Sequence, residues 1–156
     1  LDSVTDVNNF QKRRILNKID NYFEGGLRGK KFALWGLAFK AETDDIREAP
    51  SLEIITGLIK EGASVVAYDP EATNNVRKFF GEKEGLTFVE DQYEALEGAD
   101  ALIVATEWNA FRNPDFEKMN KQLKHPVIFD GRNIYELDTM KEQGFTYLSI
   151  GRKVIQ

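Results

Sequence analysis

The chain has 156 residues, 42% of them hydrophobic and 30% charged, which suits one globular domain with its own core and excludes a disordered chain. Its 21 Lys and Arg against 26 Asp and Glu give a net charge of −5, which argues against broad nucleic-acid binding. With no cysteine and one histidine there is no disulfide framework, no thiolate nucleophile and no basis for a zinc site, and with no apolar run near the ~18 residues of a membrane span and no signal-peptide pattern a cytoplasmic protein is expected.

The chain opens on Leu1 rather than Met, which is expected of a processed chain or a piece of a longer one; the later motifs favour the piece. Residues 6–24 place Val7, Phe10, Ile15, Ile19, Tyr22 and Phe23 near the 3.6-residue period, with Asp6 to cap and Gly25-Gly26 to stop, and predict a helix. Lys12-Arg13-Arg14 interrupts that face and reads as a solvated side. With no strand before it, this helix is expected to pack on a partner or a neighbouring domain. Strands then alternate with helices. The apolar run 31–36 is the first strand, and a helix over about 50–61 starts at Pro50 and stops at Gly62. A second strand at 64–68 closes on Asp69-Pro70, and a helix over about 72–80 follows. A third strand lies at 86–89, a short helix near 91–97, and a fourth strand at 101–105. Asn113-Pro114 reads as the start of a helix running to about Lys124. A fifth strand at 127–129 closes on Asp130-Gly131-Arg132-Asn133, and a weaker helix near 135–143 leads to a sixth strand at 145–149. The tail beyond Gly151 is polar and is expected to fray.

Six short apolar strands alternating with helices predict an α/β fold: a doubly wound parallel six-stranded sheet with an extra N-terminal helix. Right-handed crossovers favour the Rossmann-like order 3-2-1-4-5-6. That order places the first and fourth strands side by side, with a ligand crevice between their carboxyl ends. Three segments converge there: Gly36–Arg47, Thr106-Glu107-Trp108 and Asp130–Asn133. The first is longer than the usual connection of about 2–6 residues, as functional loops are. Between them they carry Lys40, Arg47 and Arg132, three cations with few evident partners, which suit a doubly anionic group such as a pyrophosphate.

The bland readings stand beside these. Lys40 is equally a solvated loop lysine, and Arg47 equally the partner of Asp44 or Asp45. Asp44-Asp45 reads as capping or arginine-holding rather than as an acid/base pair, and Arg132 can be part of a turn only. Trp35 and Trp108 read as packing and His125 as a surface residue. A dinucleotide fingerprint requires G-x-G-x-x-G after the first strand, and only Gly36 is present, so the chain is a poor self-sufficient NAD site. Asp69, where a ribose-binding acid would lie, reads as turn chemistry.

Gly36-Leu37-Ala38-Phe39-Lys40, Thr43-Asp44-Asp45-Ile46-Arg47 and Pro50 together resemble the C-terminal domain of the UDP-glucose/GDP-mannose dehydrogenase family. Tyr68-Asp69-Pro70, Thr106-Glu107-Trp108 and Phe129–Asn133 match in the same order. Val7-Asn8 and Gln11 resemble the end of the family's central helical region. The Thr106-Glu107-Trp108 and Asp130–Asn133 segments are most similar to members that act on UDP-glucose. The resemblance implies oxidation of the C6 alcohol of UDP-glucose to UDP-glucuronate with two NAD, feeding polysaccharide synthesis. It implies that Phe39, Lys40 and Arg132 contact the UDP-sugar, and that Arg47 reaches the NAD pyrophosphate across an interdomain cleft. It divides the chain into residues 1–28, the end of the central dimerisation helix and linker, and 29–156, the UDP-sugar-binding domain. The family's cysteine nucleophile and its assisting lysine and aspartate belong to preceding domains. No catalytic residue, no metal site and no turnover are therefore expected of this chain alone, with NAD held mainly by the missing N-terminal domain. A homodimer is implied for the whole enzyme. The same domain of a GDP-mannose or UDP-N-acetylhexosamine enzyme, and a stand-alone nucleotide-sugar-binding module, remain as alternatives.

Overall fold

The computed structural model describes residues 13–156, so Asp6, Val7, Asn8, Phe10 and Gln11 lie outside the described residues. Helix α1 covers 13–22. It is followed by β1 Lys31–Trp35, α2 Pro50–Lys60, β2 Ser64–Tyr68, α3 Thr73–Phe80, β3 Leu86–Phe88, β4 Ala101–Val104, α4 Asn109–Arg112, α5 Phe116–Gln122, β5 Val127–Asp130, α6 Leu137–Glu142 and β6 Thr146–Leu148. The strands form one parallel sheet in the order β3-β2-β1-β4-β5-β6, the doubly wound order expected from the alternation.

Both faces of the sheet are covered, which is why its central strands β1 and β4 are apolar and buried at every position after Lys31. Phe32 and Leu34 of β1 point into one core with Ile54, Ile55 and Leu58 of α2 and Val76 of α3. Ala33 and Trp35 point into the other, with Phe111, Met119, Met140 and Tyr147. Trp35 stacks on Phe111 at 5.1 Å and its indole N–H donates to Gln92 O at 2.8 Å, so it is a packing residue, as is the 7%-exposed Trp108.

The described part of α1 packs on this chain's own sheet: Ile15 and Ile19 are buried in the first core, and Tyr22 and Phe23 meet Phe129 and Phe32 edge-on. Three local expectations are corrected. The segment near 91–97 is a single 3-10 turn, Glu94–Leu96, opened by Asp91 Oδ2 accepting from the Tyr93 and Glu94 amides. The helix expected from Asn113-Pro114 starts later, at Phe116, because Asp115 is the N-cap: its side chain accepts from Lys118 N at 3.0 Å, and Asn113-Pro114 lie between α4 and α5. The tail is docked rather than frayed, with Ile155 in an antiparallel bridge to Tyr147 and 7% exposed. Among the described residues no helix is long and apolar enough to cross a membrane.

Register fixes where the loops emerge. Trp35 is level with Tyr68 and Val104, and Val104 with Asp130. The segments after β1, β2, β4 and β5 therefore leave the sheet along one edge.

Candidate functional site

The loop from Gly36 to Ala49 is held from several sides. Gly36 has φ +100, and a Cβ there would lie 2.3 Å from Thr106 Oγ1 and 2.7 Å from Thr106 N, so the two switch-point loops touch backbone to backbone. Thr106 Oγ1 donates to Ala38 O at 3.1 Å and Ser51 Oγ donates to Leu37 O at 2.6 Å. Asp69, 5% exposed, accepts on Oδ2 from Leu37 N at 2.7 Å and Ala38 N at 3.1 Å. Its Oδ1 accepts from Glu71 N and Ala72 N, both at 2.8 Å. The turn chemistry expected of Asp69 is there, and the same carboxylate also ties β2 to the loop after β1. Further along, Phe39 N donates to Asp45 O at 2.7 Å, and Glu42 and Glu48 are held at positive φ.

A cleft of about 770 Å³ opens beside this loop at the β1/β4 switch point. Ile15, Pro50, Ile54 and Ile150 give it apolar walls, Val104, Ala105 and Gly131 also line it, and Phe39, 45% exposed, reaches into it. Arg47 and Arg132 are its cations, and Asp45 and Glu48 its acids. Arg47 is gripped by Asp45: Nε lies 3.0 and 3.2 Å from the two carboxylate oxygens and Nη2 lies 2.8 Å from Oδ2. The side-chain hydrogen bonds from Arg47, reinforced by its backbone N–H, pull the Asp45 carboxyl down to about 2, and the same bonds raise the guanidinium. The Arg47 side chain is 87% exposed, so this pair is weak in water and its outer N–H groups stay open to a second anion. Arg132 pairs with Glu107, whose other oxygen accepts from Ala41 N at 3.2 Å. Glu107 thus links the loops after β1, β4 and β5.

Of the residues expected to form the site, the structure brings Phe39, Arg47 and Arg132 to one cleft. Lys40 is exposed next to Phe39, does not line that cleft, and forms no ion pair among the described residues. The expectation of three cations with few partners is corrected: Arg47 and Arg132 are both paired. Sequence reasoning missed Glu107 as the partner of Arg132, although neighbouring strand ends β4 and β5 carry the two. It also missed the apolar wall of Ile15, Pro50, Ile54 and Ile150, whose members come from three separate segments.

The crevice above β1 does not fit a dinucleotide held by this chain alone. A pyrophosphate at that position needs free amides and open space over glycine. Here the Leu37 and Ala38 amides are taken by Asp69, and the space over Gly36 is filled by Thr106.

Comparison with known proteins bears on this geometry. The family described as UDP-glucose/GDP-mannose dehydrogenase family, UDP binding domain, matches residues 33–137. A UDP-glucose 6-dehydrogenase of Pseudomonas aeruginosa is 43% identical over 97% of this chain and 34% of its own length. The solved structure of a UDP-glucose dehydrogenase from Pyrobaculum islandicum is 32% identical with a TM-score of 0.72, covering 85% of this chain and 28% of that one. That of an NDP-N-acetyl-D-galactosaminuronic acid dehydrogenase from Methanosarcina mazei is 30% identical with a TM-score of 0.79, covering 95% and 30%. The chain spans about a third of the length of the curated relatives it matches. With a six-stranded Rossmann-like sheet, a cleft lined by two arginines at its switch point and a family match across two thirds of its residues, the chain belongs to the UDP-glucose/GDP-mannose dehydrogenase family and carries its UDP binding domain.

Proposed function

We propose that this chain is the UDP-sugar-binding side of the active-site cleft of a UDP-glucose 6-dehydrogenase. The observation that carries the reading is the cleft at the β1/β4 switch point, where two guanidinium groups face apolar walls inside a UDP binding domain. A nucleoside diphosphate sugar needs both features: cations for the diphosphate, and an aromatic and aliphatic surface for the base or sugar. In this reading Arg132 exchanges part of its contact with Glu107 for a diphosphate oxygen. Phe39 lies against the ligand, and Lys40 swings its exposed ammonium onto it. The 43% identity to a UDP-glucose 6-dehydrogenase favours UDP-glucose over GDP-mannose or a UDP-N-acetylhexosamine.

NAD, which would accept the hydride in the whole enzyme, is held mainly by a domain outside this chain. The filled crevice over Gly36 supports that division, and Arg47, which lines the cleft with a largely exposed side chain, is the group this chain would offer to the cofactor pyrophosphate. Residues 1–28 form the end of the central helical region and linker, and 29–156 the UDP-sugar domain of a cytoplasmic homodimer. No nucleophile for the covalent step is supplied here, because the chain contains no cysteine. The test is NAD reduction with UDP-glucose. The full-length enzyme reduces two NAD per UDP-glucose, and this chain alone reduces none. Turnover by the isolated chain overturns the division of labour, and a full-length enzyme that prefers GDP-mannose overturns the substrate.

A further inference from the structure

The docked tail reaches the cleft through a continuous chain of hydrogen bonds. Arg132 N donates to Asp130 Oδ1 and Ile134 N to Asp130 Oδ2, both at 2.8 Å, so the Asp130 carboxylate shapes the turn that presents Arg132. Asp130 is fully buried, and a buried carboxylate needs more than two amides to hold it. Its further donor is the Tyr147 hydroxyl at 2.6 Å. Arg152 completes the chain from the tail: Nη2 donates to the Tyr147 oxygen at 2.7 Å, Nη1 to Tyr135 O at 3.1 Å, and Nε to Ser149 Oγ at 3.0 Å. Burial and the Asp130 charge push the Tyr147 hydroxyl well up, so it stays a donor to Asp130. Asn133, at φ +55, fastens the other side of the same turn. Its Nδ2 donates to Ile150 O and its Oδ1 accepts from Ile150 N, both at 2.8 Å, and Ile150 lines the cleft.

We propose that Arg152 is a positioning residue for the cleft, acting through the Tyr147 hydroxyl and the Asp130 carboxylate to aim Arg132 at the diphosphate of the ligand. This rests on the UDP-sugar reading of the cleft and adds a role for a tail that does not line it. Tyr147→Phe keeps the ring packing and deletes only the relay hydroxyl, Arg152→Met removes the guanidinium, and Lys153→Ala is the control at an exposed neighbour.

The experiment is an NMR titration of the 156-residue chain with UDP and with UMP. In the parent and in Lys153→Ala, UDP binds more tightly than UMP. In Tyr147→Phe and Arg152→Met, UDP weakens by about tenfold, the loss of one charged hydrogen bond, while UMP changes far less, so the preference for the diphosphate collapses. In the free variants, the Arg132 and Ile134 amides exchange faster with solvent, while the Ala105 amide, bonded to Trp35 O, is unchanged. Parental UDP affinity in both variants overturns the assignment, as does an equal loss for UDP and UMP, which would mark general structural damage. Absence of UDP binding by the parent overturns the cleft reading itself, and the assignment with it.

Discussion

Replacing Asp69 by asparagine tests how the loop after β1 is held. The Asp69 carboxylate is buried and each of its oxygens accepts two backbone N–H groups, Leu37 and Ala38 on one, Glu71 and Ala72 on the other. Asparagine has nearly the same shape, yet whichever way its amide sits, one acceptor becomes an NH2 facing two N–H donors. Two amides lose their partner, either after β1 or ahead of α3. Hydrogen bonds to a charged group contribute about 1.5–3 kcal/mol each, so two give about 3–6 kcal/mol. At about 2–4 °C per kcal/mol for a chain of this size, the thermal midpoint should fall by roughly 6–24 °C. Circular dichroism melting of parent and Asp69→Asn chains measures this. UDP affinity should fall with it, because Phe39 and Lys40 follow directly from Ala38. A midpoint within about 2 °C of the parent would show that the carboxylate does not hold the loop, since that is the scale of an ordinary surface turn residue.

Gly36→Ala should destabilise by at least about 3 kcal/mol or prevent folding, since strain at positive φ adds to a backbone clash. Thr106→Ala should not rescue it, because Thr106 N alone lies 2.7 Å from the new Cβ, and rescue would show that only the side chain matters. In the full-length enzyme, Lys40→Ala and Arg132→Ala should each weaken UDP-sugar binding by roughly 1–3 kcal/mol, while Arg47→Ala should act on the NAD constant; unchanged constants in all three would remove the assignment. The Asp45 carboxyl is depressed from 3.8 to about 2, so its folded form favours the carboxylate. Its contribution to stability is present above the unfolded value and is lost as the pH falls through about 2. Carboxyl-carbon NMR of the chain should show a midpoint near 2 that Arg47→Ala returns toward about 3.9, and an unmoved midpoint would deny the pairing.

Strand order was legible because alternating strands and helices with right-handed crossovers favour 3-2-1-4-5-6, and the buried runs after Lys31 and at Ala101–Val104 suit its centre. The crevice followed from that order, and with it Arg47 and Arg132; Lys40, expected there on the same ground, does not line it, and Phe39 was legible only through the family resemblance. What sequence patterns could not show were contacts between segments far apart in the chain. Glu107 meets Arg132 only because β4 and β5 are neighbours, and Arg152 meets Tyr147 only because the tail folds back along β6. The polar tail resembled a frayed end because its charges, seen singly, have no visible partner. Asn113-Pro114 misplaced a helix start for a simpler reason: Asp115, one residue on, is the better cap.

The measurement that bears most directly on the central claim is a titration of this chain with UDP, UDP-glucose, GDP-mannose and NAD, followed by backbone amide NMR. The account predicts saturable shifts with the two uridine ligands, clustered at Phe39, Lys40 and Gly131–Arg132, and smaller responses to GDP-mannose and NAD. Saturation by NAD with no response to UDP would contradict it, because the cleft would then be the cofactor side of the active site.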